Sequence, residues 1–147
     1  WSAQALGLPG VYPADAEHTY SLQPGMPGDS SQNRLSIAYE VSAPLTVDWF
    51  LLSAGPGAAS EGTLHVVFEQ QTSGTALDAL IYASQLGDIA PVAGLRDLTQ
   101  PHPEVTAWFG PGVIVCILVA DPHWSLSTGD GANAGRFEVW IEPISGR

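Results

Sequence analysis

The chain contains no lysine, and its fixed positive charge is confined to Arg34, Arg96, Arg136 and Arg147. Fifteen acidic residues stand against these four, for a formal net charge of -11 at pH 7. Proteins that hold nucleic acid neutralise phosphates with Lys and Arg, so the composition argues against DNA or RNA as a partner. The same shortage argues against anionic membrane surfaces, whereas an acidic surface favours solubility and attracts divalent cations. Cysteine is nearly absent: Cys116 stands alone, which excludes an intramolecular disulfide. A long hydrophobic run is also missing. The longest, Val113 to Ala120, has eight residues, far short of the roughly 20 that a spanning helix needs. Neither acceptor-type asparagine context occurs: Asn33 is followed by Arg-Leu and Asn133 by Ala-Gly, so the N-linked glycosylation pattern is lacking.

What is present is a chain of 147 residues, 45% hydrophobic, interrupted by sixteen glycines and twelve prolines. That length suits one domain with a sizeable core, and the density of breakers suits short strands joined by turns. Residues 1–17, "WSAQALGLPGVYPADAE", have no clear period and read as an extended N-terminal arm; residues 18–147 read as a single β domain. The start at Trp1 is what a secreted product would show after removal of its signal, and a proteolytic or engineered fragment would look the same.

Period-two patterns recur along the domain. "HTYSL" puts Tyr20 and Leu22 on one face, and "RLSIAYEV" sets Leu35, Ile37, Tyr39 and Val41 against Arg34, Ser36, Ala38 and Glu40. "LTVDWFLL" is read with Leu45, Val47, Trp49 and Leu51 inward, leaving Phe50 and Leu52 on the off-face. "TLHVVFEQQ" directs Leu64, Val66 and Phe68 inward, and "ALDALIYAS" does the same for Leu77, Ala79 and Ile81, although its spacing also fits a helical turn. Residues 86–104 are the least regular part, and "VTAWF" follows as a short strand. Val113 to Ala120 is rich in β-branched residues and lies between Gly-Pro-Gly and Asp-Pro, the pattern of a central strand covered on both faces. Cys116 then sits mid-strand as a small hydrophobe. The closing "RFEVWIEP" opposes Phe137, Val139 and Ile141 to Arg136, Glu138, Trp140 and Glu142. About eight strands and no convincing helix predict a two-sheet β-sandwich of jelly-roll or immunoglobulin-like type.

The order "LTVDW", "LDALIYAS", "FGPGVIVCILV" and "NAGRFEVWI" resembles the bacterial pre-peptidase C-terminal domain over residues 45–141. Gly112–Val119 and Gly135–Ile141 follow its two Gly-led strands, and Asp78-Ala-Leu-Ile-Tyr82 its Asp-bearing strand. The family's acidic Glu-Pro-Asn-Asp opening and the tyrosine pair after Gly112 are missing. The resemblance implies a secreted, noncatalytic β-sandwich, sometimes calcium-stabilised, that accompanies extracellular hydrolases or surface proteins.

No nucleophile elbow, phosphate-binding glycine loop or H-E-x-x-H helix occurs. The four histidines lack close metal-ligand spacing, and His65 and Glu69 share only one strand face. The chain is therefore expected to be noncatalytic. Candidate calcium ligands are Asp121, Asp130 and Asn133, because "TGDGANAG" concentrates hard oxygen donors in a Gly-rich loop; the same residues also simply make a turn. Phe50, Leu52 and Trp140 form a candidate apolar contact face needing a cover, either the arm or another subunit.

Two functions are expected. The first is a self-assembling subunit of an extracellular filament, pilus or surface layer, partnered by copies of itself or another surface protein. Its assembly arm would carry Trp1, Ala3, Ala5, Leu6, Leu8 and Val11 and act by arm or strand exchange. The second is an accessory or carbohydrate-binding module of a secreted hydrolase, suggested by the family resemblance and the tryptophans.

Overall fold

Strands form where the alternating and β-branched segments lie, and Gly, Pro and Asn clusters separate them. A computed structural model describes residues 19–22, 34–41, 47–54, 62–72, 74–85, 88–101, 104–121 and 133–143. The described residues form nine strands: β1 (Thr19–Leu22), β2 (Leu35–Glu40), β3 (Val47–Ala54), β4 (Gly62–Phe68), β5 (Asp78–Gln85), β6 (Asp88–Leu95), β7 (Val105–Phe109), β8 (Ile114–Ala120) and β9 (Ala134–Pro143). Among the described residues no helix is long and apolar enough to cross a membrane.

Four antiparallel pairings are nested in sequence: β5 with β6, β4 with β7, β3 with β8, and β2 with β9. The chain is one long hairpin whose tip lies between β5 and β6. Cross-pairing of β5 with β8 and of β4 with β9 rolls this ribbon into two layers. The resulting strand orders, β3-β8-β5-β6 and β2-β9-β4-β7, are those of a jelly roll. That order decides between the two sandwich types. β1 extends the first sheet to five strands by pairing parallel to β3, with Thr19 beside Leu51 and Leu22 beside Ala54.

The core lies between the sheets. β8 supplies Val115, Ile117 and Val119 from one side, and β9 supplies Phe137, Val139 and Ile141 from the other. Phe137 ties the layers together: its ring packs edge-on against Phe50 at 5.3 Å and stacks on Phe68 at 4.9 Å. Such aromatic pairs contribute about 0.5–1.5 kcal/mol beyond area burial. As expected, Leu77, Ala79 and Ile81 are buried, and β5 is a strand rather than a helical turn.

Two expectations need correction. Residues 88–95, inside the irregular stretch, form β6, an edge strand opposite a bulge between Ile81 and Tyr82. Pro91 obscures this strand in the sequence; an edge position tolerates it because no inner ladder needs its missing N–H. In β3 the facing is reversed. Phe50 and Leu52 are buried between the sheets, opposite Ile117 and Val115, while Trp49 and Leu51 point to the outer side. Both faces of this strand are apolar, so alternation could not orient it; pairing with β8 does.

Local chemistry closes the turns. Gly110 to Val113 form a type II-like turn before β8, with Pro111 second, Gly112 at φ 81° third, and Val113 N–H donating to the Gly110 carbonyl at 3.1 Å. At one end of the sandwich, polar side chains, Gln71 and Asn133 buried and Asp78 half-buried, fasten the links between strands. Gln71 donates to the Thr75 carbonyl and accepts from Leu77 N–H, Asn133 Oδ1 accepts from Thr75 N–H, and Asp78 Oδ1 accepts from Asp97 N–H. Asp97 takes the left-handed conformation at φ 58°, which Asp tolerates.

Tyr39 faces its cross-strand partner Gly135, where any Cβ would collide with the phenol ring. The ring covers the glycine, and the hydroxyl is buried without a hydrogen-bond partner. Burial, reinforced by the charge of Glu69, pushes this phenol from 10.0 up to about 12. The unfolded chain therefore loses this proton first. The stabilisation is present below pH 10.0 and is lost as pH rises towards about 12. Urea unfolding across that window should show falling stability, with a shallower fall in Tyr39→Phe. In the core, Ile117→Ala should cost about 2–5 kcal/mol in the same assay, since a packed site collapses only partly around a deletion.

Candidate functional site

The outer face of the four-stranded sheet carries an ordered group of charged and aromatic side chains. Register places His65 on β4 directly between Trp140 on β9 and Thr106 on β7. The imidazole stacks on the Trp140 indole, with centroids 4.9 Å apart and planes within 1° of parallel. The Arg34 guanidinium lies 3.8 Å from the centroid of the same indole, and its Nη1 meets Glu138 at 3.3 Å. Trp140 is consequently buried although it lies on the outer face. A cation over an exposed-side indole is worth about 0.5–1 kcal/mol, and a solvent-exposed ion pair such as Arg34–Glu138 at most about 1.

Both ring nitrogens of His65 meet carboxylates: Nδ1 lies 2.7 Å from Glu104 Oε2 and Nε2 lies 2.8 Å from Glu142 Oε2. Ionised carboxylates only accept, so both bonds form together with the imidazolium, whose two nitrogens both donate. The histidine thereby clasps the segment entering β7 to the end of β9 across β4. Glu69, which alternation placed on the same face as His65, is not one of these partners. Among the described residues, no group of three or more His, Cys, Asp or Glu is arranged to hold a metal ion. Trp108, opposite Thr63 on this face, is 46% exposed and is the large apolar side chain most open to solvent among the described residues.

At the margin of the two sheets an open depression of about 510 Å³ is bordered by Glu40, Asp48 and Arg136. Its polar groups have structural partners: Asp48 Oδ2 accepts from Glu40 N–H at 2.8 Å, and Arg136 Nε donates to Ser36 Oγ at 3.0 Å.

The outer face of the five-stranded sheet is of the opposite character. Two adjacent cross-strand rows, Trp49–Leu118–Leu80 and Leu51–Cys116–Tyr82, run over β3, β8 and β5. Trp49, Cys116 and Leu118 form a second buried cluster, with Leu51, Leu80, Tyr82 and Ala120 packed against it. Burial pushes the Cys116 thiol from 9.0 up to about 12, far from the depressed range of reactive cysteines. The Trp49 indole N–H is buried without an acceptor.

The residues expected to act at a site are thus dispersed. The proposed contact face does not exist as a unit: Phe50 and Leu52 are core, and Trp140 belongs to the other sheet. Asp121 is buried at the end of β8, and Asn133 uses Oδ1 to hold Thr75 and its carbonyl to hold Val41 N–H. Asp130 and the arm residues Trp1, Ala3, Ala5, Leu6, Leu8 and Val11 lie outside the described residues. The histidine clasp escaped the sequence reading because Glu104 and Glu142 are 39 and 77 residues from His65. Only the strand register brings them together. No protein-family model matches the chain, and no curated protein matches it in sequence.

His65→Ala should lower the unfolding free energy by about 1–2 kcal/mol, since the clasp is only partly shielded from water. In that background Glu104→Gln and Glu142→Gln should cost little more, which a double-mutant cycle measures. Fully additive losses would show that the carboxylates act elsewhere.

Proposed function

We propose that the protein is a noncatalytic structural β-sandwich of the cell exterior, a self-assembling subunit whose N-terminal segment docks on a neighbouring copy. The observation that supports this is the five-stranded sheet, which is apolar on both faces. Phe50, Leu52, Val115, Ile117 and Val119 fill the core, while Trp49, Cys116 and Leu118 form the separate outer cluster. The outer sheets of a free-standing sandwich ordinarily present polar residues to water. A sheet with two apolar faces needs a third layer, which an assembling protein can receive from its neighbour. The acidic surface, with its net charge of -11, suits an extracellular setting by keeping unassembled chains soluble.

The second reading, an accessory module like the pre-peptidase C-terminal domain, is favoured by Trp108. An exposed indole beside Thr63 on a flat sheet face suits stacking against a sugar ring.

Light scattering over a concentration series, with electron microscopy of the products, separates the two. The structural reading expects growing oligomers or filaments; a stable monomer at high concentration that is retained on polysaccharide columns through Trp108 would favour the module.

A further inference from the structure

We propose that His65 is a proton-controlled lock on the edge strand β7: as an imidazolium it holds Glu104, and on losing the proton from Nδ1 it lets the start of β7 come loose. The inference rests on the geometry of the clasp and on neither functional reading above.

The clasp needs two donors, because Nδ1 faces Glu104 Oε2 at 2.7 Å and Nε2 faces Glu142 Oε2 at 2.8 Å. A neutral imidazole keeps one N–H, so its bare nitrogen turns a lone pair towards a carboxylate that also only accepts. Stacking on Trp140, with planes within 1° of parallel, fixes the plane of the ring and with it both nitrogen directions. The His65 side chain is 13% exposed, whereas those of Glu104 and Glu142 are 39% and 62% exposed. Water is therefore a ready partner for a released carboxylate. The ring nitrogen, more deeply set, depends on the protein for its partner.

The charged neighbours fix the sign of the response. β9 contributes Glu142 and Glu138, the residue before β7 is Glu104, and Glu69 follows the end of β4. Thr106, the partner of His65 on β7, is uncharged. Arg34, on the β2 side of Trp140, lies over the indole and is paired with Glu138 at 3.3 Å. Both groups bonded to the imidazole are thus acids, and protonation of the ring adds a bond that deprotonation removes. The hold on β7 is strongest on the acid side of the histidine titration, while the carboxylates stay ionised, and weakens on the alkaline side.

Which bond matters follows from the backbone. Glu142 belongs to β9 and lies opposite Thr63 within the ladder. Glu104 precedes Val105, which pairs with Val66 at the last rung between β7 and β4. Its bond to Nδ1 therefore extends the hold of β4 on β7 past the ladder. With a carboxylate at each nitrogen, the intrinsic preference of a neutral imidazole side chain for Nε2–H decides the tautomer, and Nδ1 is left bare in front of Glu104. Among the described strands β7 is paired only with β4, at the edge of the order β2-β9-β4-β7. Once the tie is lost, its start can fray without disturbing the core. The strand so controlled is the one that presents Trp108 to solvent.

Imidazole nitrogen chemical shifts read the proton and its position, and hydrogen exchange of the β7 amides reads the lock. Between about pH 5.5 and about pH 8.5, on either side of the range in which histidines ordinarily titrate, Nδ1 should lose its proton while Nε2 keeps one. Over the same interval the protection of the β7 amides, corrected for intrinsic exchange, should fall about fivefold, the factor that one net hydrogen bond is worth. β2, the other edge of the sheet, should change little. In Glu104→Gln the carboxamide can turn its NH2 to a bare nitrogen or its oxygen to an N–H, so β7 should stay equally protected at both pH values. A ring that keeps both protons throughout, a ring neutral throughout, or loss of the Nε2 proton instead overturns the proposal. So does β7 protection that stays level while the ring titrates, or a full fall in Glu104→Gln. If that variant does not fold, the measurements on the unaltered chain decide alone.

Discussion

Strand β8 is buried on both faces, and the rest of the molecule is arranged around that requirement. Its core-facing residues, Val115, Ile117 and Val119, can be dry only if a second sheet lies opposite, and Phe137, Val139 and Ile141 of β9 occupy that layer. Its backbone can be dry only if both edges are paired, which β3 and β5 provide. An unpaired buried amide or carbonyl would cost about as much as several favourable contacts return. Central placement of β8 therefore follows from its composition, and nesting of the remaining pairs about the β5–β6 tip follows from keeping connections short and uncrossed.

The same alternation that builds one core generates two very different outer surfaces. On β4 and β9 the outward positions are His, Trp, Glu and Thr, and they settle into a ladder of stacking and charge-assisted hydrogen bonds. On β3, β8 and β5 the outward positions are Trp, Leu, Cys and Tyr, which have no such means of satisfaction and require covering. The first surface is complete within the described strands. The second is buried without any such ladder, Cys116 and Leu118 almost completely, and among the described residues the side chains packed against them belong to the same sheet.

Polar residues at the end of the sandwich, Gln71 and Asn133 buried and Asp78 half-buried, act as fasteners. Gln71, Asn133 and Asp78 each complete the hydrogen bonding of a backbone segment that leaves its ladder. Buried amides of this kind are tolerated because they are matched, and they hold the β4–β5 link and the start of β9 to one another. Asn133 is thus accounted for by the fold before any ligand is considered.

The all-β class, the central strand and most core positions could be read from the sequence, because burial on a strand obeys a period of two wherever one face is polar: Ile37 and Tyr39, Leu64 and Val66, and Phe137, Val139 and Ile141 are all buried as alternation predicts. The inert character of Cys116 was equally legible from its eight-residue apolar setting. The facing of β3 was not, since Trp49, Phe50, Leu51 and Leu52 are all hydrophobic and only hydrogen-bond register with β8 chooses between two equivalent orientations. β6 was hidden by Pro91, whose placement is permitted only by an edge that no local pattern announces. Parallel addition of β1, the jelly-roll order and the His65 clasp likewise depend on strands distant in sequence. Local periodicity determines which residues avoid water; long-range pairing determines which of them meet.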